Sequence, residues 1–139
     1  MCLQADFLDA HERHRHDAEL LNQALRWANA DHLYGIAAEC GLKCLMMVFG
    51  MEVNSLGSPR IREDRMHAKG IWERFESYRS GHPQGTGYAL PAENPFHDWD
   101  VSDRYAHQSN FNQARTQSHQ AGVQMVCGLI KQARRGGLI

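Results

Sequence analysis

Residues 31–50 read DHLYGIAAECGLKCLMMVFG, and they decide the fold. Leu33, Ile36, Ala37, Cys40, Cys44, Met47 and Val48 recur at helical spacing and make one apolar face. Gly50 ends the pattern, as glycine commonly does just past a helix. The spacing predicts a helix over 31–49, with Asn29 or Asp31 as its cap. Beside the apolar face runs a second stripe. His32, Ile36, Glu39 and Lys43 lie 4, 3 and 4 residues apart and stack along one side. Glu39 precedes Lys43 by four residues, the favourable order for a helical ion pair. On a surface such a pair contributes a few tenths of a kcal/mol. As the wall of a groove, the same carboxylate can orient a neighbouring arginine.

The flanking sequence continues the helical theme. DFLDAHERHRHDAELLNQALRWA predicts a helix over 6–28, capped by Asp6, with Phe7, His11, Ala18, Leu21 and Leu25 near helical spacing. Residues 51–63 hold the breakers Gly57, Ser58 and Pro59 and read as a loop. Asp64 caps a predicted third helix over 65–80 that buries Ile71, Trp72, Phe75 and Tyr78. Residues 81–100 carry three of the four prolines and three glycines, too irregular for one helix. They also carry Tyr88, Phe96 and Trp99, too aromatic for a disordered linker, so an ordered loop packed on the bundle is expected. Ser109 or Asn110 caps the last predicted helix, 110–135, and Asn110 and Gln113 have capping-box spacing. Its apolar face is read as Phe111, Ala114, Ala121, Met125, Leu129 and Ala133, and Gly136 and Gly137 end it. No strand signal, internal repeat or low-complexity tract competes. The expectation is all-α: one domain over 1–139, an up-down bundle of four to five helices with a long ordered loop before the last.

Composition bounds the function. The 139 residues include 15 basic and 16 acidic side chains, for a formal net charge of −1. That excludes a strongly cationic coat for nucleic acid but leaves room for a local basic groove. Nine histidines allow the surface to become more positive near pH 6. Of the four cysteines, Cys40 and Cys44 lie within the apolar pattern and read as small buried hydrophobes. Residues 1–20 are mostly charged or polar, and no apolar run approaches the ~18 residues of a membrane span. A cytoplasmic protein with no membrane segment and no cofactor is expected.

Three constellations besides the Glu39 stripe can carry chemistry. In HERHRH, residues 11–16, His11 and His14 can share a metal with another helix. His16 points away from His14, and no Glu-x-x-His pair recurs, so a partly buried histidine face is expected and no metal. In RIREDRMH, residues 60–67, Arg62 and His67 can cleave RNA without metal if arginine steadies the phosphorane and histidine moves a proton. The spacing alone is a weak signal, with Arg62 placed in a loop. In VSDRYAHQSNF, residues 101–111, Arg104 can clamp a phosphate, Tyr105 can stack on a base, and His107 stands nearby. The ordinary alternative is that Arg104 pairs with Asp100, Asp103 or Glu39 to pin the loop. Gly-rich phosphate loops, Cys-x-x-Cys and Gly-x-Ser-x-Gly are absent from the sequence, which lowers most standard enzyme classes.

Together these residues resemble the HEPN superfamily, small helical bundles of prokaryotic toxin–antitoxin, defence and nucleotide-handling proteins. The match rests on Ala37, Ala38, Glu39, Leu42 and Lys43, on His67 opening HAKGIW, and on Arg104-Tyr105 before the final helix, in helix order over about residues 10–135. The resemblance implies a homodimer that binds RNA or a nucleotide, with a cognate antitoxin or nucleotidyltransferase-like partner. Active members of the family are metal-independent endoribonucleases with an Arg-x4–6-His motif. Here His107 follows Arg104 after two residues, a departure shared in kind with branches that bind rather than cut. The expected groove lies between the second helix and 99–108. In it Arg104 steadies a phosphate, His107 or His67 transfers a proton, and Glu39 holds Arg104. His32, Lys43, Tyr105 and Arg62 are further ligand contacts. The rival is a non-catalytic dimerisation or protein-interaction module.

Overall fold

The computed structural model describes residues 2–139. It contains four α-helices: α1 (Phe7–Gln23), α2 (Trp27–Val48), α3 (Ala68–Ser80) and α4 (Gln113–Arg135). Short 3-10 turns occupy Arg62–Asp64, Thr86–Tyr88, Val101–Tyr105 and Gln108–Asn110. Among the described residues no strand forms; one isolated bridge joins Val53 to Pro59.

The all-helical expectation holds, with three helices around a central α2. Packed by α1, α3 and α4, α2 is buried on nearly every side, from Ala30 to Met46. It is therefore not the one-faced helix that its apolar spacing predicts. Leu33 and Ile36 are half-buried and Met47 is exposed, whereas Tyr34, Ala38, Leu42 and Leu45 are fully buried. Two glycines permit this crowding. A Cβ at Gly41 would sit 2.6 Å from both His11 and Val126, and one at Gly35 would sit 2.1 Å from the Trp99 ring. So α1 and α4 approach α2 at one glycine, and the 94–100 loop approaches it at the other.

Element boundaries differ from the sequence reading where side chains have other employment. α1 stops at Gln23, because Leu25 adopts φ 60° and turns the chain. α2 then begins at Trp27 with Arg26 at its cap position. Asp31, expected as a cap, is instead a fully buried residue inside the helix. Asp64 does not cap α3. It is buried in the preceding turn, where it accepts from Arg74 at 2.8 Å and from the Tyr78 hydroxyl. The expected inner face of α3 does hold: Ile71, Trp72 and Phe75 are buried and Tyr78 packs beside them. α4 is capped by Asn112, whose side chain accepts from the Arg115 amide, not by Ser109 or Asn110. Its buried face is Thr116, His119, Val123, Val126, Ile130 and Ala133. Ala114, Ala121 and Met125, assigned to the core from sequence, are exposed.

The ordered loop expected over 81–100 is present and continues, through two further 3-10 turns, to the start of α4 at Gln113. Phe96 and Trp99 insert into the core at 0% and 2% exposure, and the Trp99 indole donates to the Asp31 carbonyl. Both aromatics are thus covered within one chain.

Candidate functional site

An open cleft of about 480 Å³ lies between the start of α2 and the 103–111 segment. Arg104 and His107 both line it, together with Arg26, Gln108 and Ser109. The cleft floor is the N-terminus of α2, where no side chain caps the first-turn amides. Those amides and the helix dipole favour negative charge. The helix end that faces the Arg104 segment is the start of α2, the second helix, beside which the groove was expected. Arg104 is exposed and makes no ion pair among the described residues; its guanidinium lies 4.9 Å over the Tyr105 ring. Tyr105 is 78% exposed, a ring offered to solvent.

The His107 tautomer follows from its neighbours. Its Nδ1 accepts from the Ser109 backbone amide at 3.1 Å, and the Ser109 hydroxyl lies 2.9 Å away. A backbone amide can only donate, so Nδ1 holds the lone pair and the neutral ring carries its proton on Nε2. His107 is thereby set to donate a hydrogen bond.

Residues absent from the sequence-based site hold this cleft in place. Arg115 of α4 donates to the Asp98 carbonyl at 2.6 Å and to the Asp103 carboxylate at 3.0 Å, and lies 3.4 Å from Asp31. Beside it, fully buried His119 places Nδ1 2.5 Å from Asp31 and Nε2 2.7 Å from Asp98. Burial alone would lower the His119 pKa, but the bonds and charges of Asp31 and Asp98 outweigh it and raise it. Burial likewise pushes Asp98 up, and the His119 bond with the His119 and Arg115 charges brings it below the usual value. The pinning role considered for Arg104 thus belongs to Arg115. Arg115 and His119 share a helix face at i, i+4, which was a readable signal.

The other candidates gather elsewhere. Glu39 does not hold Arg104: its oxygens are taken by Lys43 Nζ and His67 Nδ1, each at 2.9 Å. The Glu39 bond raises the His67 pKa against the opposing effect of burial. His67 is absent from the lining of the Arg104 cleft, and Lys43 lines a different pocket. Arg62 is exposed and shares no bond with His67 among the described contacts. His32 stacks on Trp99 at 5.5 Å with its buried Nδ1 unpartnered. Burial first, and then the Arg104 charge, lower its pKa, and His32 is not among the residues that line the cleft.

Among the described residues no three His, Cys, Asp or Glu side chains gather as a metal site. Buried Cys40 and Cys44 are poor nucleophiles, with burial pushing their thiols up to about 12 and about 11. No described helix is long and apolar enough to cross a membrane. No protein-family model, curated protein or solved structure matches the chain.

Proposed function

We propose that this chain is a HEPN-like domain that binds a phosphate of RNA or a nucleotide in the Arg104 cleft. One observation carries the reading. Arg104, singled out from sequence as a phosphate contact, and His107, singled out as a proton carrier, share one open cleft with the uncapped N-terminus of α2. Arginine offers a planar fork, His107 an Nε2 proton, and the helix its free amides, all of them donors. Tyr105 presents a ring on which a base can stack.

The same geometry favours binding over cleavage. A ribonuclease needs a group to take the proton from the attacking hydroxyl. His107 in its neutral form carries a proton, not a lone pair, on Nε2, and His67 is bonded to Glu39 and does not line the cleft.

Arg104→Lys tests the proposal, because lysine keeps the charge and loses the fork. Affinity for a short single-stranded RNA or a nucleoside phosphate should fall by about 1–3 kcal/mol, the scale of a charge-assisted bond. The melting temperature should stay put, because exposed Arg104 braces nothing. If neither probe binds the parent chain, or the variant binds as tightly, the reading is wrong.

A further inference from the structure

A second pocket, of about 470 Å³, opens between residues 5–7, α2 and the 54–65 loop. Its inner wall is Lys43, only 5% exposed. The ammonium carries three protons, and the described residues supply one acceptor, Glu39 Oε2 at 2.9 Å. Asn54 faces the same space. Its Oδ1 accepts from the backbone amides of Leu56 and Ser58 at 2.9 and 3.1 Å, which fixes the amide the other way round: Nδ2 is left to donate. The Ser58 hydroxyl has no partner among the described residues. Arg65 stands on the lining with Nε bound to the Pro59 carbonyl and one terminal nitrogen to that of Arg60, so its guanidinium is held while other protons stay unused.

Every polar side chain on this lining therefore retains a donor, two of the four are cationic, and no carboxylate lines the space. Glu39, bonded behind Lys43, offsets one of the two positive charges. The remainder matches a single negative charge. Phe7, Ala5 and Pro59 supply the rest of the wall, an apolar surface fit for a short hydrocarbon. Pockets of a few hundred Å³ with convergent polar groups and apolar walls are the usual form of a small-ligand site. We propose that this pocket binds a small monocarboxylate, its oxygens on Lys43, Asn54 and Ser58 and its short apolar body against Phe7 and Pro59. The two pockets share no lining residue, so this site stands or falls independently of the Arg104 cleft.

A reporter is built in. Glu39 joins Lys43 to His67, and the Lys43 charge pulls the His67 titration downward. An anion seated on Lys43 counters that pull. NMR of the His67 ring in the 139-residue chain, titrated with pH in butyrate and in its absence, reads the effect directly. Butyrate at tens of millimolar should move the His67 midpoint upward, and butylamine should not. Lys43→Met should weaken butyrate by at least about tenfold, the scale of a charged hydrogen bond. Because that change strips Glu39 of a buried partner, Ser58→Ala and Arg65→Gln serve as milder companions, each weakening butyrate several-fold in a folded protein. An unmoved His67, equal affinity across the folded variants, or tighter seating of inorganic phosphate than of butyrate overturns the proposal.

Discussion

His119 has no solvent exposure, and each of its ring nitrogens faces a carboxylate. A carboxylate accepts and does not donate, so both nitrogens must carry protons and the ring is an imidazolium. Its charge and that of Arg115 face Asp31, Asp98 and Asp103. Removing one member of a buried ion cluster strands the others, at a cost of about 3–5 kcal/mol. His119→Gln should lower unfolding stability by that amount in a denaturant titration. His107→Gln, on the exposed cleft wall, should lower it little. Equal losses would show that the cluster holds nothing. The i, i+4 spacing of Arg115 and His119 was visible in the sequence, but their shared hold on Asp31, Asp98 and Asp103 was not, because those partners lie on other elements. Asp31 was misread for the same reason: its position before an apolar run suggested a cap, while its carboxylate is used in the core. Arg104 stood out in the sequence because it exceeds what local structure needs, whereas His107 caps the Gln108–Asn110 turn. Their separation from Glu39 was not legible, because nothing in the spacing shows that Lys43 and His67 occupy both carboxylate oxygens.

At the scale of elements, the apolar pattern located α2 and the inner face of α3. It failed where a boundary depends on a single backbone angle, as at Leu25, a non-glycine residue in the left-handed region. It also rotated α4 by assigning Ala114 and Ala121 to the core in place of Thr116 and His119. Thr116 is buried because its hydroxyl donates to the Asn112 carbonyl at 2.9 Å, so a polar side chain sits inward with its bond satisfied. The cap of α4 separates the two readings. Asn112 accepts from the Arg115 amide at 2.9 Å, whereas Ser109 and Asn110 belong to a separate turn capped by His107. Asn112→Ala should cost about 1 kcal/mol, the usual worth of such a cap. Asn110→Ala, which loses only an exposed bond to the His107 carbonyl, should cost clearly less. The reverse order in paired melting curves would place the helix start where the sequence first suggested.

For the molecule as a whole, its histidines divide by environment and give stability two pH limbs. His11 is buried with Nδ1 2.8 Å from the Ala37 carbonyl, so the neutral ring donates there; burial, the largest influence, lowers its pKa. Burial lowers His14 and His32 as well. A group with a depressed folded pKa contributes stability above its unfolded value, about 6.5 for histidine, and loses it as pH falls through the folded value. Asp98, also depressed, adds a second acid loss that begins below its unfolded value of about 4. His119 and His67 are raised, so their contribution is complete below about 6.5 and is lost as pH climbs through their folded values. Unfolding free energy should therefore pass through a maximum, with the acid limb led by His11 and the alkaline limb by His119. The limbs are separable. His119→Gln should flatten the alkaline limb and leave the acid one, apart from the Asp98 share that depends on the imidazolium. Half-exposed His67, screened by solvent, should leave only a small alkaline slope in that variant. Denaturant titrations across pH measure both limbs, and an alkaline limb undiminished in His119→Gln would mean that the imidazolium does not hold the 96–103 segment against α2 and α4.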